Sequence, residues 1–470
     1  MMNKLINLFE PQPFQVYQRQ QGDTAAIRIR GEVQHGIPVR IEARITSNTV
    51  TSSWQELEIA NQSFAGELDK VPVGGPYRVE IRASDGKETV TIAVPEVLVG
   101  DLWILAGQSN MDGCGKLINL EAPSRYVRCY YYNETWGIAK DPLCRLIDSI
   151  DPVHWPVGME DASARAEASK RERAFNDHGA GLGVRFGKDL YKATGVPVGL
   201  IICSHGSTAM RQWSPQLKNL GGNSLYGSMM RRVNAVGGKV AGCLWYQGES
   251  DAIGQGVKTY KSDTIEFIET LRKDLGCPNL PFIYVQLGPV LYNAFGISDS
   301  ALVDAWNKVQ ADQLAIESEV PNTAMTAAVD ATNSDFIHLD SVSLRRIGAR
   351  MAKLARKLVF GHDFQVGPRP RKVEFLDENR TKLRINFDKV NGKLIPARDI
   401  RGFLIEKDGS RFEITNCSRG PDGTSVIIDL ASPVPRGARL WHGRGIIPTC
   451  NLTDQLGFPT PVFGPITLPD

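Results

Sequence analysis

Four polar segments of this 470-residue chain carry the residue types that acyl transfer requires. They are Gly-Gln-Ser-Asn at 107–110, Ser-His-Gly-Ser-Thr at 204–208, Gln-Gly-Glu-Ser-Asp at 247–251, and 330–340, which ends in Asp-Phe-Ile-His-Leu-Asp. Nucleophilic acyl transfer needs a hydroxyl, an imidazole that takes its proton, a carboxylate that orients the imidazole, and donors for the oxyanion. The segments contain all of these groups and predict a serine-hydrolase type of site.

Ser109 is the candidate nucleophile, and His338 is the candidate base. Asp335 lies three residues before His338, a one-turn spacing that can bring a carboxylate against an imidazole. His205 is a second possible base. A serine after a strand is more often a turn or helix-capping residue. Ser109 is a candidate nucleophile only because the other groups of the site are expected to lie near it.

The acid-x-x-His spacing also occurs at Glu32/His35 and at Asp151/His154. With 7 histidines and 52 acidic residues, such pairs arise readily by chance. The first pair lies in a predicted β-sandwich, and the second lies in a segment without clear periodicity. We interpret both as surface or structural pairs.

Five short apolar runs predict the strands that position the polar segments: Leu102–Ala106, Val196–Cys203, Val240–Tyr246, Pro281–Leu287 and Ala324–Val329. Helical periodicity between them predicts helices at 181–193, 224–236, 257–275, 298–317 and 340–360. Buried strands that alternate with helices indicate a doubly wound α/β fold with a parallel five-stranded sheet. Ligands of such sheets bind beyond the carboxyl ends of the strands, which is where the polar segments lie.

The patterns divide the chain into three predicted domains. Residues 1–98 and 362–470 alternate apolar and polar positions between turn residues, which predicts β-sandwich-type domains. The α/β hydrolase domain is predicted at 99–361. Residues 112–178 fit neither pattern and are interpreted as an insertion above the carboxyl edge of the sheet, where it would act as a lid.

Composition excludes several classes of partner. Lys plus Arg number 54 against 52 Asp plus Glu, so no overall positive field favours nucleic acid or an anionic membrane. No apolar run reaches the ~18 to 20 residues of a membrane helix, and the start lacks a signal-peptide pattern. The sequence alone therefore predicts a soluble, cytoplasmic protein; the oligomeric state is left open.

Neither metal nor organic cofactor is expected. The eight cysteines are scattered without C-x-x-C pairs, which makes a zinc site unexpected, and Cys203 and Cys243 are interpreted as free buried thiols. The chain has no G-x-S-x-G, no H-E-x-x-H and no P-loop motif. An ordinary α/β-hydrolase, a zinc protease and a P-loop enzyme are therefore disfavoured.

Four blocks resemble a known group. "WILAGQSNM", "GLIICSHGSTAMRQW", "LWYQGESDA" and "DFIHLDSVS" resemble, in that order, the conserved blocks of sialate O-acetylesterases and their relatives in the SGNH hydrolase superfamily. The resemblance implies a flavodoxin-like hydrolase fold, Ser109 as nucleophile, and Asp335 and His338 as the rest of the triad. It also implies a periplasmic or secreted location, and an oxyanion hole made by the N–H groups of Ser109 and Gly206.

The resemblance leaves the acid and one donor open. In related carbohydrate acetyl esterases of family 6 the glutamate of the Gln-Gly-Glu block orients the histidine, so Glu249 is the alternative to the preferred Asp335. Superfamily members commonly offer an Asn side chain to the oxyanion from this block. Gln247 stands there in this chain and is the candidate side-chain donor.

The implied activity is removal of O-acetyl groups from a carbohydrate, with sialic acid as the expected sugar. Acetylxylan or another polysaccharide ester is the alternative, and a non-catalytic carbohydrate-binding protein is the alternative from another class. The expected substrate contacts, with two further tryptophans as stacking candidates, are Gln108, Asn110, His205, Trp213, Trp136 and Trp155. His205 stands where related blocks often have the tryptophan of a Trp-Gly-Gly sequence.

Overall fold

Two sheets form the N-terminal region of the chain. In this computed structural model, which describes residues 6–33, 40–291, 295–296 and 298–469, one sheet has the strand order Ile6–Glu10, Thr24–Val33, Ser63–Pro72, Glu58–Ala60. The other contains Val16–Gln18, Arg40–Thr46, Gln55–Glu56 and Gly74–Ser84. Apolar side chains from both sheets, among them Ile29 and Ile81, pack into one buried cluster, as the alternating pattern predicts.

One long strand, Thr89–Gly107, connects this region to the centre of the molecule; we call it β1. Its first part pairs antiparallel with Gly74–Ser84, and its last part lies between two parallel neighbours. The predicted boundary at residues 98 and 99 falls inside β1. The domain bounds stay a prediction, because here the chain passes from one region to the next without a loop.

The central sheet continues with six more strands: β2 Val127–Tyr130, β3 Trp136–Ile138, β4 Val198–Ile202, β5 Gly242–Tyr246, β6 Phe282–Gln286 and β7 Thr323–Ala327. Their spatial order is β3-β2-β4-β1-β5-β6-β7, and all except β3 are parallel. The strands that follow β1 in sequence lie first on one side of it and then on the other. The carboxyl end of β1 is therefore the topological switch point, where such sheets bind ligands.

The prediction of five parallel strands is wrong by one. The sixth, β2, lies within the segment 112–178 that the sequence pattern assigned to an insertion. Its sequence, Val-Arg-Cys-Tyr, is short and is interrupted by Arg128, so it does not appear as an apolar run. The Arg128 side chain is fully buried, and its guanidinium is 2.8 Å from the Glu96 carboxylate, which compensates the charge.

Eight α-helices lie in the described residues: α1 Ser109–Asp112, α2 Ala162–Phe175, α3 Gly183–Thr194, α4 Leu225–Ala235, α5 Glu249–Ile253, α6 Tyr260–Asp274, α7 Asp299–Glu319 and α8 Ser341–Phe360. Short 3₁₀ helices are Leu146–Asp148, Pro152–His154, Met210–Trp213, Pro215–Asn223 and Gly256–Lys258. The five predicted helices are confirmed as α3, α4, α6, α7 and α8. Side-chain caps start three of them, since Ser224, Ser298 and Asp340 each accept a first-turn N–H.

The C-terminal region contains antiparallel strands, again as its pattern predicts. One sheet has the order Arg369–Phe375, Lys382–Asp388, Ser425–Leu430, Ile414–Arg419, and a second has the order Ser410–Phe412, Phe403–Lys407, Arg439–His442, Phe463–Thr467. The remaining strands form two short pairs: Leu394–Ile395 with Thr453–Asp454 in this region, and Gly115–Lys116 with His178–Ala180 outside it. Arg369 joins this region to α7 through an ion pair with Glu317, at 2.7 Å.

Cys203 and Cys243 are buried free thiols, as predicted. Among the helices in the described ranges, none combines the length and apolarity needed to cross a membrane.

Candidate active site

The end of β1 turns sharply and places a serine at the sheet edge. Gly107 has a φ of 132°, and a Cβ atom there would lie 2.2 Å from the carbonyl oxygen of Tyr246, so only glycine fits. The Gln108 N–H donates to the same oxygen and ties the turn to β5. Ser109 follows as the first residue of α1, with 8% of its surface exposed. Its N–H has no partner within the helix, because helix-starting N–H groups lack one.

The predicted contact between Asp335 and His338 is confirmed. Oδ1 of Asp335 accepts the N–H groups of Ile337 and His338, at 2.8 and 2.7 Å, and Oδ2 lies 2.7 Å from Nδ1 of His338. Burial raises the pKa of Asp335, but these N–H groups and the imidazole outweigh it and leave the pKa below its usual value. The carboxylate is thus held ionised against Nδ1, and Nε2 of His338 is left for proton transfer.

Asn110 connects three of the predicted segments. Its Nδ2 donates to Oε1 of Glu249 at 2.7 Å, and its Oδ1 accepts the N–H of Leu339 at 3.0 Å. One buried side chain therefore ties the serine turn both to α5 and to the loop that carries His338. Asn110 is 1% exposed and its amide is bound on both sides within the protein, so its predicted contact with substrate stays a prediction.

Glu249, the alternative acid, lies close to this network without a hydrogen bond to His338 in the described chain. It is the first residue of α5 and is 2% exposed. Burial raises the pKa of its carboxyl group, and the hydrogen bond from Asn110 opposes that shift. Its second oxygen, Oε2, is buried without a hydrogen-bond partner among the described residues.

Gly206 lies against Ser109, where an oxyanion donor would have to be. A Cβ atom on Gly206 would lie 3.5 Å from Cβ of Ser109 and 3.2 Å from Oδ2 of Asp112. Asp112 is a site residue that sequence reasoning missed, although it stands three residues after Ser109 in the same helical turn. Burial raises the pKa of Asp112 to about 6, and hydrogen bonds that include one from the Gly206 N–H oppose the rise.

Gln247 and Gln108 connect neighbouring segments of the site through hydrogen bonds of their side chains. The Nε2 group of Gln247 donates to Oδ2 of Asp251 and to the carbonyl oxygen of Thr208, at 2.6 and 2.9 Å. Both of its protons are used within the protein, and the predicted oxyanion contact of Gln247 stays a prediction. The Gln108 side chain is 2% exposed, and its Oε1 accepts the N–H of Ser250; its predicted substrate contact is not tested by these bonds and stays a prediction.

The three candidate stacking tryptophans differ in their surroundings. Trp213 is fully buried, packs edge-on against Trp245, and donates its indole N–H to Thr208; its substrate contact stays a prediction. Trp136 is 6% exposed. Trp155 has the Arg165 guanidinium 3.6 Å above its ring. Of the proposed binding side chains, two are partly exposed: Trp155 and His205, which lies beside Gly206.

Comparison with known proteins identifies the family. The model of the carbohydrate esterase family of sialic acid-specific acetylesterases matches residues 99–357. The chain belongs to this family. The matched residues include the serine turn, the His338 loop and both candidate acids.

Similar proteins agree with this membership. The human sialate O-acetylesterase is 24% identical over 435 residues, which cover 85% of this chain and 78% of that protein. A probable carbohydrate esterase of Arabidopsis thaliana is 27% identical over 267 residues, covering 54% of this chain and 88% of that protein. The crystal structure of a carbohydrate acetylesterase from Xanthomonas citri has a TM-score of 0.65, with 23% identity, 96% of this chain and 98% of that chain covered, and shares the fold.

Membership makes the protein a carboxylic ester hydrolase of the carbohydrate esterase type.

In this esterase the other two acid-x-x-His pairs, Glu32/His35 and Asp151/His154, differ in whether the structure describes them. His35 lies outside the described residues, so the Glu32/His35 pair is not placed. His154 is 1% exposed and contacts the imidazole of His205, with 3.0 Å between the two Nδ1 atoms. The pair with Asp151 is thus buried, and its connection to the candidate site was missed.

Proposed function

We propose that this carbohydrate esterase removes O-acetyl groups from sialic acid through an acetyl-serine intermediate on Ser109. The observation that carries the proposal is the Asn110 side chain, which ties the Ser109 turn to the loop where Asp335 holds His338. The names of the similar human and Xanthomonas citri proteins support an acetylated carbohydrate as the substrate class.

In the first step, Nε2 of His338 takes the proton of the Ser109 hydroxyl as Oγ attacks the acetyl carbonyl carbon. Asp335 holds Nδ1–H, which keeps the imidazole in the tautomer with a bare Nε2 and stabilises the imidazolium that forms. The carbonyl oxygen becomes an oxyanion, for which the N–H groups of Ser109 and Gly206 are the proposed donors; the Gly206 N–H would exchange its hydrogen bond to Asp112 for one to the oxyanion. Each such donor contributes about 100- to 1,000-fold in rate.

Collapse of the tetrahedral intermediate breaks the bond between the acetyl carbon and the sugar oxygen. His338 returns its proton to that oxygen, and the sugar leaves as an alcohol. Water then attacks the acetyl-serine, with His338 again as the base, and acetate leaves while Ser109 regains its proton. No electron transfer occurs in this sequence, and none of its steps calls on a metal ion or an organic cofactor.

Asp335 is the proposed acid, because it contacts the imidazole directly. Glu249 is proposed to act as the buried anchor of Asn110 rather than as the partner of His338. The pKa values of the two carboxyl groups shift in opposite directions, because the donors around Asp335 outweigh its burial and lower its pKa, whereas burial raises the pKa of Glu249.

The architecture proposed for this function is an SGNH-type hydrolase domain at 99–361 between β-sandwich-type domains at 1–98 and 362–470. The segment 112–178 is the proposed lid, although its strand β2 belongs to the central sheet. Its α2 helix lies outside that sheet and is the part proposed to cover a substrate.

Acetate release tests the proposal. The wild type and Ser109→Ala are assayed on 9-O-acetyl sialic acid, acetylated xylan and p-nitrophenyl acetate, with Ser262→Ala on the exposed side of α6 as the matched control. We expect acetate from the sialic acid ester, a loss of about 10,000-fold or more in Ser109→Ala, and full activity in the control.

Three results would contradict the proposal, each at a different point. Full activity in Ser109→Ala removes the acetyl-serine mechanism. Acetate from xylan but not from sialic acid replaces the proposed sugar and keeps the mechanism. A wild type that binds acetylated sugar and releases no acetate from any of the three esters would instead indicate a non-catalytic binding protein.

A further inference from the structure

A second histidine-containing chain of hydrogen bonds ends beside Gly206, apart from the Asp335/His338 pair. It runs from Asp151 through Ser228 and His154 to His205. The first three residues are 4%, 0% and 1% exposed, while His205 is partly exposed. Such a continuous chain in a buried place fixes where each proton lies, because every buried donor needs an acceptor.

The positions of the protons follow from the Asp151 end. The Arg231 guanidinium lies 2.8 Å from both carboxylate oxygens of Asp151, which identifies the group as an ionised carboxylate. Oγ of Ser228 lies 2.5 Å from Oδ2 of the same carboxylate. A carboxylate only accepts hydrogen bonds, so the Ser228 hydroxyl donates its proton to Asp151 and has only lone pairs left.

His154 must then carry its proton on Nε2, since this atom lies 3.1 Å from Oγ of Ser228. Burial lowers the pKa of His154 well below its usual value, and the neighbouring His205 and arginines act in the same direction, so the ring is neutral. Its Nδ1 atom is consequently a bare acceptor. Nδ1 of His205, 3.0 Å away, must be the donor.

This placement determines the free edge of the His205 ring. Burial also lowers the pKa of His205, so the neutral ring has a proton on Nδ1 and a lone pair on Nε2. Within the described ranges, no hydrogen bond to that Nε2 is found. The backbone holds the residue at the site, because its N–H donates to the carbonyl oxygen of Gly107 at 2.9 Å, two residues before Ser109.

We propose that His205 is a specificity residue, whose Nε2 accepts a hydrogen bond from a hydroxyl group of the acetylated sugar. His154, Ser228 and Asp151 are positioning residues that keep His205 in the accepting tautomer. Sugars present hydroxyl groups next to the acetylated position, whereas simple alkyl acetates do not. The inference rests on the proposed function, and it adds a reason why the site would prefer sugar esters.

Two esters that differ in hydroxyl groups test the proposed contact. The ratio of kcat/KM for the best sugar acetate to kcat/KM for cyclohexyl acetate, a six-membered ring without hydroxyls, is measured in wild type and in His205→Phe. We expect the ratio to fall about 10-fold or more in His205→Phe, mainly through KM. The control His178→Gln changes an exposed histidine on another segment and should leave the ratio as in the wild type.

An unchanged ratio in His205→Phe, with sugar acetates still hydrolysed, overturns the specificity role alone. Absence of acetate release from every sugar ester in the wild type overturns the proposed function instead. The two failures are therefore distinguishable in one experiment.

The proton positions have a test that needs no activity. Long-range ¹H–¹⁵N spectra of histidine-labelled protein at pH 7.5 report the tautomer of each of the seven histidines, and His154→Phe and His205→Phe assign the two rings. We expect Nε2–H at His154 and Nδ1–H at His205. An imidazolium, or a proton on Nε2 of His205, overturns the inference.

Ser228→Ala separates positioning from structural support. Without the acceptor at Oγ, His154 is free to change tautomer, and the His205 signals should shift toward a mixture of forms while the sugar-to-cyclohexyl ratio falls. A Ser228→Ala protein that is less stable but keeps the wild-type tautomers and ratio would reduce Ser228 to a packing residue and overturn its positioning role.

Discussion

Asp335/His338 and Asp151/His154 have the same two residue types at the same spacing, yet they are built in opposite ways. In the first pair the N–H of His338 donates to the aspartate side chain, which turns the carboxylate toward the imidazole. In the second pair, at the 3₁₀ helix Pro152–His154, the N–H of His154 donates to the backbone oxygen of Asp151. The Asp151 carboxylate is then free to face Ser228 and Arg231.

Burial increases the difference between the two pairs. The side chains of His338 and Asp335 are 25% and 42% exposed, so this imidazole can reach solvent and substrate. His154 is enclosed, and its neutral ring relays a fixed hydrogen bond to His205. A spacing of three residues therefore does not define a function; the backbone partner and the solvent access of the imidazole do.

The largest expected effect concerns the exposed pair. Asp335→Asn leaves an amide in place of the carboxylate that orients His338, and we expect kcat for the preferred sugar acetate to fall about 10,000-fold. Glu249→Gln, measured beside it, should lose less than about 100-fold, because Glu249 acts through Asn110. A larger loss in Glu249→Gln than in Asp335→Asn would transfer the acid role to Glu249.

The second largest expected effect is a loss of stability when Asp151 of the buried pair is removed. Asp151→Ala leaves Arg231 without this carboxylate and leaves the Ser228 hydroxyl without its acceptor. We expect the free energy of unfolding to fall by about 3 kcal/mol, at the low end for a broken buried pair, because Arg231 is 35% exposed. Urea denaturation measures this free energy of unfolding. The control is Asp177→Ala, beside the exposed His178, which should change the free energy of unfolding little.

The smallest effect is a pH dependence that belongs to His154. Its folded-state pKa is lowered, so below about pH 6.5 the unfolded chain binds a proton that the folded protein excludes. Stability from this residue is present above that pH and is lost as the pH falls, by about 1.4 kcal/mol per pH unit. Burial also lowers the pKa of His442, to about 4. The loss of stability that His442 causes at low pH is the same in the wild type and in the variants.

Comparing the wild type with His154→Gln isolates this contribution. Urea denaturation at pH 7.5, 6.5 and 5.5 should show a stability difference between the two proteins that shifts in favour of His154→Gln as the pH falls. A difference that stays constant from pH 7.5 to 5.5 would mean that His154 takes up a proton in the folded protein, and the buried pair would then resemble the exposed one.

Much of the central fold could be predicted from periodicity. The apolar runs and the i, i+3, i+4 stripes located five strands and five helices, because buried strands and amphipathic helices leave those patterns. Strand β2 could not be found in this way, since Arg128 interrupts it and is tolerated only through its pairing with Glu96. The sequence pattern also did not show that β1 continues across the expected domain boundary. The first half of β1 alternates apolar and polar residues and the second half is apolar, so the two halves are read as two separate strands.

The candidate site could be predicted in part. The contact between Asp335 and His338 is local, and a short turn with two N–H groups on the carboxylate suffices to form it. The burial of Asn110 and Trp213, and the partners of the Gln247 amide, could not be predicted, because they depend on neighbours distant in sequence. Asp112 and the relay from Asp151 were missed for the same reason.

The sequence by itself determined the residue types, their order along the chain, and the local turns that follow each strand. Those features are set by nearest neighbours, by glycine at Gly107 and by side-chain caps such as Asp340. Only the tertiary structure decided that Glu249 binds Asn110 and not His338, that His154 contacts His205, and which ring reaches solvent. Hydrogen bonds such as that from the Leu339 N–H to Oδ1 of Asn110 join residues more than 200 positions apart, and burial acts on a pKa only after those parts have come together.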